Sequence, residues 1–147
     1  VKRIDGQSIQ DWSEISTAVQ QFMKKNVNSN NKESIEALHL VREHAVMMKE
    51  SILKSDLGRF SEIMNQGWIH KKKVAKGITN SKIDKVYDLA IKSGASAGRV
   101  SGAGGGGFML FFCEPRKRYN LLRQLNDLGG QIRGYQFVKD GLVTWKV

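Results

Sequence analysis

Five of the fifteen glycines in this chain lie within residues 102–107, in the string Ser-Gly-Ala-Gly-Gly-Gly-Gly that begins at Ser101. A glycine gives up roughly 0.5–1 kcal/mol of backbone entropy relative to alanine, so such a cluster needs a local reason. A plain turn with positive φ angles needs only two glycines. Five indicate a loop whose bare backbone is approached closely and whose successive N–H groups form an anion-binding concavity. We favour phosphate contact over a plain turn for this segment, residues 101–107, which we call the glycine loop.

Apolar residues recur every three or four positions along the first two-thirds of the chain, which is the pattern of amphipathic helices. Ser, Asn or Asp residues that can cap a helix precede most of these repeats, and glycines follow two of them. The polar residues 26–32 separate the first two repeats and predict a linker loop. The predicted helices span residues 8–25, 33–54, about 56–76 and about 81–93.

The pattern changes after these helices. Residues 98–101 are short and extended, and the continuous apolar run Phe108–Cys113 predicts a buried strand. Pro115 favours the start of a helix that runs to Leu128. Two closing strands are predicted near residues 131–138 and 142–147, with the hairpin signal Asp-Gly between them. The order predicts an α+β domain, in which added helices cover one face of a four-stranded, largely antiparallel sheet.

Composition limits the class of protein. A chain of 147 residues with 40% apolar residues and one proline suits a single globular domain. The single cysteine excludes a disulfide framework and a multi-cysteine zinc site. No apolar run approaches the roughly 18 residues of a membrane span, so we expect a cytoplasmic protein without membrane contact. The net charge of +10 falls almost wholly after residue 54 and suggests an anionic partner.

The glycine loop fits the dinucleotide pattern G-x-G-x-x-G through Gly102, Gly104 and Gly107. That pattern requires a helix after the loop, because the pyrophosphate rests on the helix N-terminus. Here the loop precedes a predicted strand, which argues against a dinucleotide fold. A Walker A motif is excluded, because no lysine follows the glycines.

The segment Val100–Phe108 closely resembles the glycine-rich third motif of the GHMP kinases, a superfamily that includes galactokinase, homoserine kinase and mevalonate kinase. Three further segments are similar to the C-terminal half of one branch, the D-glycero-D-manno-heptose 7-phosphate kinases and fucokinase-like sugar kinases. They are residues 68–73 (Trp-Ile-His-Lys-Lys-Lys), residues 78–84 and residues 141–145. The resemblance covers residues 33–147, and residues 1–32 lead into it as a helix and a polar loop within one domain.

This resemblance implies a ferredoxin-like C-terminal domain with added helices. It also implies transfer of the γ-phosphoryl group of ATP, with Mg²⁺, to a sugar hydroxyl. In the heptose branch the acceptor is the anomeric hydroxyl of a heptose 7-phosphate. The glycine loop would then contact phosphate through backbone N–H groups, without a catalytic side chain in this chain. Its residues are Ser101, Gly102, Ala103, Gly104, Gly105, Gly106 and Gly107.

The family's N-terminal domain carries the ATP-phosphate loop and the acidic residues that hold Mg²⁺, and none of these is found in the chain. The resemblance therefore implies the C-terminal half of an enzyme, with an N-terminal kinase domain as its partner. We expect the isolated chain to lack kinase activity and to hold no metal. We also expect Gly105→Val to abolish the activity of the complete enzyme while nearly preserving the fold.

Three cations are candidates for contact with a substrate phosphate. Arg99 replaces the lysine that usually precedes the motif, and the two cations differ in geometry. Lys71 and Lys72 belong to a basic cluster with Lys73 and Lys76, for which a solvated helix end is the simpler interpretation.

Two other functions remain open. A basic domain of this class can bind nucleic acid, but the aromatic run in Phe108–Cys113 is predicted to be buried and not to stack on bases. A regulatory module that senses a ligand without catalysis is the second alternative. His39 and His44 are interpreted as surface or boundary residues, and Cys113 as an inert apolar residue.

Overall fold

The computed structural model describes residues 9–134, with the side chains of residues 9–13 and Ile15 excepted. Four α-helices come first, followed by two strands, a short 3₁₀ turn and a last helix. They are α1 (Ile9–Asn28), α2 (Lys32–Leu53), α3 (Leu57–Val74), α4 (Ser81–Lys92), β1 (Ala95–Val100), β2 (Met109–Cys113), the 3₁₀ turn Pro115–Lys117 and α5 (Arg118–Asp127).

The helix boundaries follow the capping residues of the sequence. Asp56 accepts a hydrogen bond from the N–H of Arg59, and Asn80 accepts from the N–H groups of Lys82 and Ile83. Each bond satisfies a donor that has no partner inside the helix, so α3 and α4 begin where the sequence predicts. Gly94 stands two residues beyond α4 with a φ of +115° and ends it as predicted.

The predicted linker of residues 26–32 is wrong in its first half. Helix α1 continues to Asn28, and the side chain of Asn26 is tied to two other helices. Its Nδ2 donates to Ser34 Oγ at 2.9 Å and to the Val74 carbonyl at 3.0 Å. The polar side chain of Asn26 makes tertiary hydrogen bonds, which residue composition alone does not reveal.

Strands β1 and β2 pair antiparallel, with Val100 opposite Met109 and an irregularity between Ala95 and Ala97. Helices α3 and α4 both pack against β1, as expected for an α+β domain. The structure thus confirms the α+β class and two antiparallel strands. Of the predicted closing strands, residues 131–134 adopt no regular structure, and the rest lies outside the described residues.

Strand β2 is less buried than the sequence predicts. All five of its residues are half-buried, and Phe108 just before it is 63% exposed. Two aromatic rings of β2 nevertheless have partners inside the protein. Phe112 meets Phe60 of α3 edge-on at 5.6 Å between ring centroids, and Phe111 lies against Gly98.

Trp68 is the centre of the main core and is fully buried. It lies on α3 and belongs to a core cluster that also takes residues from α1, α2, α4 and β1. Loss of a buried aromatic of this size costs about 3–5 kcal/mol in a typical core. The buried residues around it are Val19, Ala37, Val74, Ala75, Ile78, Ile83 and Val100.

A polar junction joins the same elements beside this core. The Nδ2 of Asn65 donates to the Ser96 carbonyl at 2.7 Å, and its Oδ1 accepts from the Tyr87 hydroxyl at 2.8 Å. The N–H of Gly98 donates to the same Oδ1 at 3.3 Å. One half-buried amide therefore ties α3 to α4 and to β1.

The glycine loop joins β1 to β2 and packs on the segment before α4. The N–H of Gly105 donates to the Ile78 carbonyl at 2.9 Å. A Cβ added at Gly104 would lie 2.7 Å from the Ile78 Cα, closer than real atoms approach. Gly104 also has a φ of +115°, so both its backbone angle and its surroundings require glycine.

Two histidines stack between α2 and α3. The rings of His44 and His70 are nearly parallel, with centroids 5.1 Å apart. His44 is buried, which corrects its interpretation as a surface or boundary residue, whereas His39 is exposed. Burial lowers the pKa of His44, and the neighbouring His70 lowers it further.

We expect Gly104→Ala to cost more stability than Gly129→Ala. Gly129 has a φ of +86° with open space around its Cβ position, so alanine there meets only the left-handed backbone penalty of about 1–2 kcal/mol. Gly104→Ala adds the collision with Ile78, worth roughly 1–3 kcal/mol more. Urea denaturation of both variants measures the difference, and equal losses would contradict the close packing of the glycine loop.

We also expect the free energy of unfolding to fall as pH drops below 6.5, partly because of His44. Its pKa is lower in the folded chain than in the unfolded chain, so the unfolded state binds the proton first. Replacement of His44 by glutamine removes this pH-dependent contribution to the free energy of unfolding. The stability of His44→Gln should therefore depend less on pH than that of the wild type. His39→Gln is the matched control, and chemical denaturation from pH 7.5 to 5 is the measurement. A variant slope identical to that of the wild type would exclude this role for His44.

Candidate functional site

The backbone of the glycine loop presents several N–H groups without an acceptor. Towards the residues that the structure describes, two loop residues donate backbone hydrogen bonds, Ser101 to Phe108 and Gly105 to Ile78. Within the described part of the chain, the other loop N–H groups have no hydrogen bond. They belong to Gly102, Ala103, Gly104, Gly106 and Gly107. Successive unpaired N–H groups in a strongly turned backbone are the donor arrangement that binds anions.

The sharp turns of the loop come from its glycines. Positive φ angles occur at Gly102, Gly104, Gly105 and Gly107. Gly104, Gly105 and Gly106 are buried, whereas Gly102 and Gly107 are exposed at the two ends. Because Gly105 is buried with a φ of +76°, Gly105→Val would strain the fold as well as the site. The expectation that this variant leaves the fold nearly intact is therefore wrong.

Asn80 connects the glycine loop to α4. Its Oδ1 caps the helix, and its Nδ2 donates to the Gly105 carbonyl at 3.3 Å. One side chain therefore serves two different elements. The sequence pattern predicts a cap at residue 80 or 81 but not the second contact, because a bond across 25 residues leaves no local signal.

Lys71 reaches the loop from the last turn of α3. Its Nζ donates to the carbonyl of Val100 at 3.3 Å and to the carbonyl of Gly102. Burial lowers the pKa of Lys71 to about 8, and the positive charge of Arg99 contributes to the shift. The sequence predicts Lys71 as a substrate contact, and its contacts with the loop backbone leave no local signal.

Arg99 stands on β1 beside Lys71 and is half-buried. Among the described residues its guanidinium has no hydrogen-bond or ion-pair partner. Lys71 likewise has no carboxylate partner there and donates only to backbone carbonyls. Two cations without a carboxylate partner thus lie beside unpaired N–H groups, and this combination attracts an anion.

The other lysines of the basic cluster point elsewhere. Lys72 lies 3.8 Å from a carboxylate oxygen of Asp84 on α4, and its Nζ stands 5.7 Å from the Trp68 ring centroid. Lys73 pairs with Glu33 on α2 at 4.0 Å. Lys72 is therefore engaged inside the domain and does not join Lys71 and Arg99 at the glycine loop.

The described residues contain no group of three or more His, Cys, Asp or Glu side chains that could hold a metal ion. The carboxylate near this region, Asp84, accepts from Thr79 at 2.8 Å and pairs with Lys72. Residues 9–134 therefore offer Mg²⁺ no cluster of three such ligands. No helix in the described part of the chain has the length and apolarity needed to cross a bilayer.

The chain is similar to a curated protein over most of its length. Over 117 residues the chain is 37% identical to the D-glycero-alpha-D-manno-heptose 7-phosphate kinase of Campylobacter jejuni. The alignment covers 80% of this chain and 34% of that enzyme. The chain thus spans about a third of the length of this relative.

Two solved structures share the fold. A Campylobacter jejuni protein assigned as a sugar kinase matches with a TM-score of 0.55 and 39% identity, over 72% of this chain and 32% of that one. L. major mevalonate kinase in complex with R-mevalonate matches with a TM-score of 0.67 over 76% of this chain and 34% of that chain. At 16% identity, the second match shows the fold alone.

The family comparison matches the larger part of the chain. Residues 48–131 fit the model described as the C-terminal region of the GHMP kinases. This span begins near the end of α2 and includes α3, α4, both strands, the glycine loop and α5. The chain belongs to the GHMP kinase family and carries its C-terminal domain.

Proposed function

We propose that this chain is the C-terminal domain of an ATP-dependent sugar kinase and that its glycine loop holds phosphate during phosphoryl transfer. The observation that carries this proposal is the set of unpaired N–H groups in the loop, with Lys71 and Arg99 beside it. Family membership and the 37% identity to a heptose 7-phosphate kinase support the reaction class.

The proposed role follows from the charge of the transferred group. In phosphoryl transfer, charge is spread over the phosphoryl oxygens, and catalysis depends on positioning and charge stabilisation. Backbone N–H groups that are already oriented stabilise such charge with little reorganisation. The loop would bind phosphate oxygens, and Arg99 would add a positive charge at its edge.

The acceptor that we propose is the anomeric hydroxyl of a heptose 7-phosphate, in analogy to the heptose-kinase relative. ATP and the sugar phosphate would be bound together with an N-terminal kinase domain, which would supply the ligands of Mg²⁺ and the catalytic acid. The described residues of this chain contain no cluster of three ligands for the metal. We keep the cytoplasm as the proposed compartment, since ATP is available there.

The nucleic-acid alternative is weaker for a structural reason. RNA-binding sheets of this type stack bases on exposed aromatic rings. The rings of Phe111 and Phe112 lie against Gly98 and Phe60, and of the three phenylalanines in residues 108–113 Phe108 alone is largely exposed. The excess positive charge at the loop fits a small phosphate ligand better than it fits a nucleic acid.

A first prediction concerns binding to the chain itself. Tripolyphosphate should shift the NMR amide signals of the glycine loop and leave those of α2 unchanged. Arg99→Met should weaken this binding about tenfold, the effect of losing roughly 1.4 kcal/mol, because one cation is removed. Arg123→Met, an exposed cation on α5, is the matched control. Stronger binding of a single-stranded oligonucleotide, with shifts outside the loop, would favour the nucleic-acid alternative.

A second prediction concerns activity. A chimera in which this chain replaces the matching third of the Campylobacter jejuni heptose 7-phosphate kinase should transfer phosphate from ATP to heptose 7-phosphate. The chain alone should show no turnover, because the residues expected to activate the acceptor are not in it. ADP release is the readout, and circular dichroism verifies that each protein is folded.

Arg123→Met in the chimera should leave turnover unchanged, and Arg99→Met should reduce kcat/KM at least tenfold. Three results would contradict the proposal. They are a folded chimera that is inactive on every sugar phosphate tested, turnover by the purified chain alone, and an Arg99→Met chimera as active as its parent.

A further inference from the structure

The ammonium group of Lys71 faces the protein backbone. It donates to the carbonyls of Val100 and Gly102, which lie at the point where β1 runs into the glycine loop. Two of its three donors are therefore used inside the domain. A lysine reserved for substrate would keep its donors for the ligand, so this geometry assigns Lys71 a different task.

Peptide geometry links these carbonyls to the anion-binding donors. In a trans peptide, the C=O of one residue and the N–H of the next point in opposite directions. All peptide bonds of the described chain are trans. Because Lys71 holds the Gly102 carbonyl, the N–H of Ala103 points away from Lys71, and it has no acceptor among the described residues.

Asn80 acts in the same way on the other half of the loop. Its Nδ2 holds the Gly105 carbonyl, so the N–H of Gly106 is directed to the opposite side. The Gly105 N–H is meanwhile bound to the Ile78 carbonyl and fixes the middle of the loop against the core. The described structure gives Gly106 N–H no acceptor either.

We propose that Lys71 and Asn80 are positioning residues that set the direction of the Ala103 and Gly106 N–H groups, and that neither residue contacts the phosphate ligand. The contacts of Lys71 and Asn80 do not depend on what the loop binds. Their consequence for phosphate binding rests on the proposed function of the loop. The positioning role replaces the expectation that Lys71 is a substrate contact.

The charge of Lys71 makes this arrangement depend on pH. A half-buried ammonium next to Arg99 has a pKa of about 8, so it loses its charge slightly above neutral pH. A neutral amine forms weaker bonds to carbonyls than an ammonium, because the bonds are no longer charge-assisted. The orientation of the loop should therefore weaken above pH 8.

The first test needs no ligand. The chain is labelled with ¹³C at its glycine carbonyls, and the signals of Gly102 and Gly105 are recorded by carbon-detected NMR. We expect Lys71→Met to shift the Gly102 carbonyl, and Lys73→Met, the control that contacts Glu33, to leave it unchanged. An unchanged Gly102 signal in a folded Lys71→Met variant would overturn the proposal for Lys71.

A pH titration of the same sample tests whether the charge of Lys71 positions the Gly102 carbonyl, or whether the Lys71 side chain only packs against the loop. The Gly102 carbonyl of the wild type should titrate with a midpoint near pH 8, following Lys71. In Lys71→Arg this step should disappear, because a guanidinium stays charged throughout the range. A step near pH 8 that persists in Lys71→Arg would assign the titration to another group and contradict the inference.

Asn80 is tested with a substitution that preserves its cap. Asn80→Asp keeps the oxygen that accepts from Lys82 and Ile83 but has no amide to donate to Gly105. The carbonyl signal of Gly105 should shift while helix α4 stays intact. A Gly105 signal identical to that of the wild type would show that the amide does not position the loop.

Tripolyphosphate binding then tests whether the orientation of the loop N–H groups affects the affinity of the loop for phosphate. Lys71→Met should bind it about tenfold more weakly at pH 7, as for the loss of a charge-assisted bond. The wild type should lose affinity between pH 7 and 9, and Lys71→Arg should lose less. If Lys71→Met weakens binding without shifting the ligand-free Gly102 carbonyl, Lys71 is a ligand contact and the inference is wrong.

The two proposals fail in different ways. If the wild type does not bind tripolyphosphate, the phosphate-binding function is contradicted, while the ligand-free carbonyl signals still decide the positioning roles. If binding is present and the carbonyl signals do not respond to Lys71 or Asn80, only the positioning roles are contradicted.

Discussion

The contact between the backbone of the glycine loop and that of Ile78 is the constraint on which the site depends. Gly105 donates to the Ile78 carbonyl, and Gly104 approaches the Ile78 backbone too closely for any side chain. Ile78 is itself fully buried in the Trp68 core. The loop is therefore anchored to the centre of the domain, although its ends at Gly102 and Gly107 are exposed.

This anchoring explains which features the sequence could predict. Helices and caps depend on neighbours three or four residues apart, so periodicity and the polar residues before each repeat predict the starts of α3 and α4 correctly. The glycine cluster identified the loop because the backbone angles themselves demand glycine. The α+β class followed from the order of the elements, and two of the four expected strands are described.

The remaining errors concern contacts between residues distant in the chain. Asn26 looked like part of a linker because its partners, Ser34 and Val74, belong to other helices. The sequence predicts His44 to be a surface or boundary residue, since nothing local shows that His70 stacks on it. The contacts of Lys71 with carbonyls that lie 29 and 31 residues away likewise leave no local signal in the sequence.

The three consecutive lysines at the end of α3 show how strictly helix phase controls their roles. Lys71 holds the glycine loop, Lys72 faces α4 and Lys73 faces α2. Consecutive residues on an α-helix are separated by about 100° around its axis. The deletion of a single residue from the middle of α3 would rotate this turn by that angle and exchange the partners of all three lysines. Relatives that vary in length should therefore carry their insertions outside α3. An insertion inside α3 would rotate the three lysines even if the charge and composition of the helix were kept.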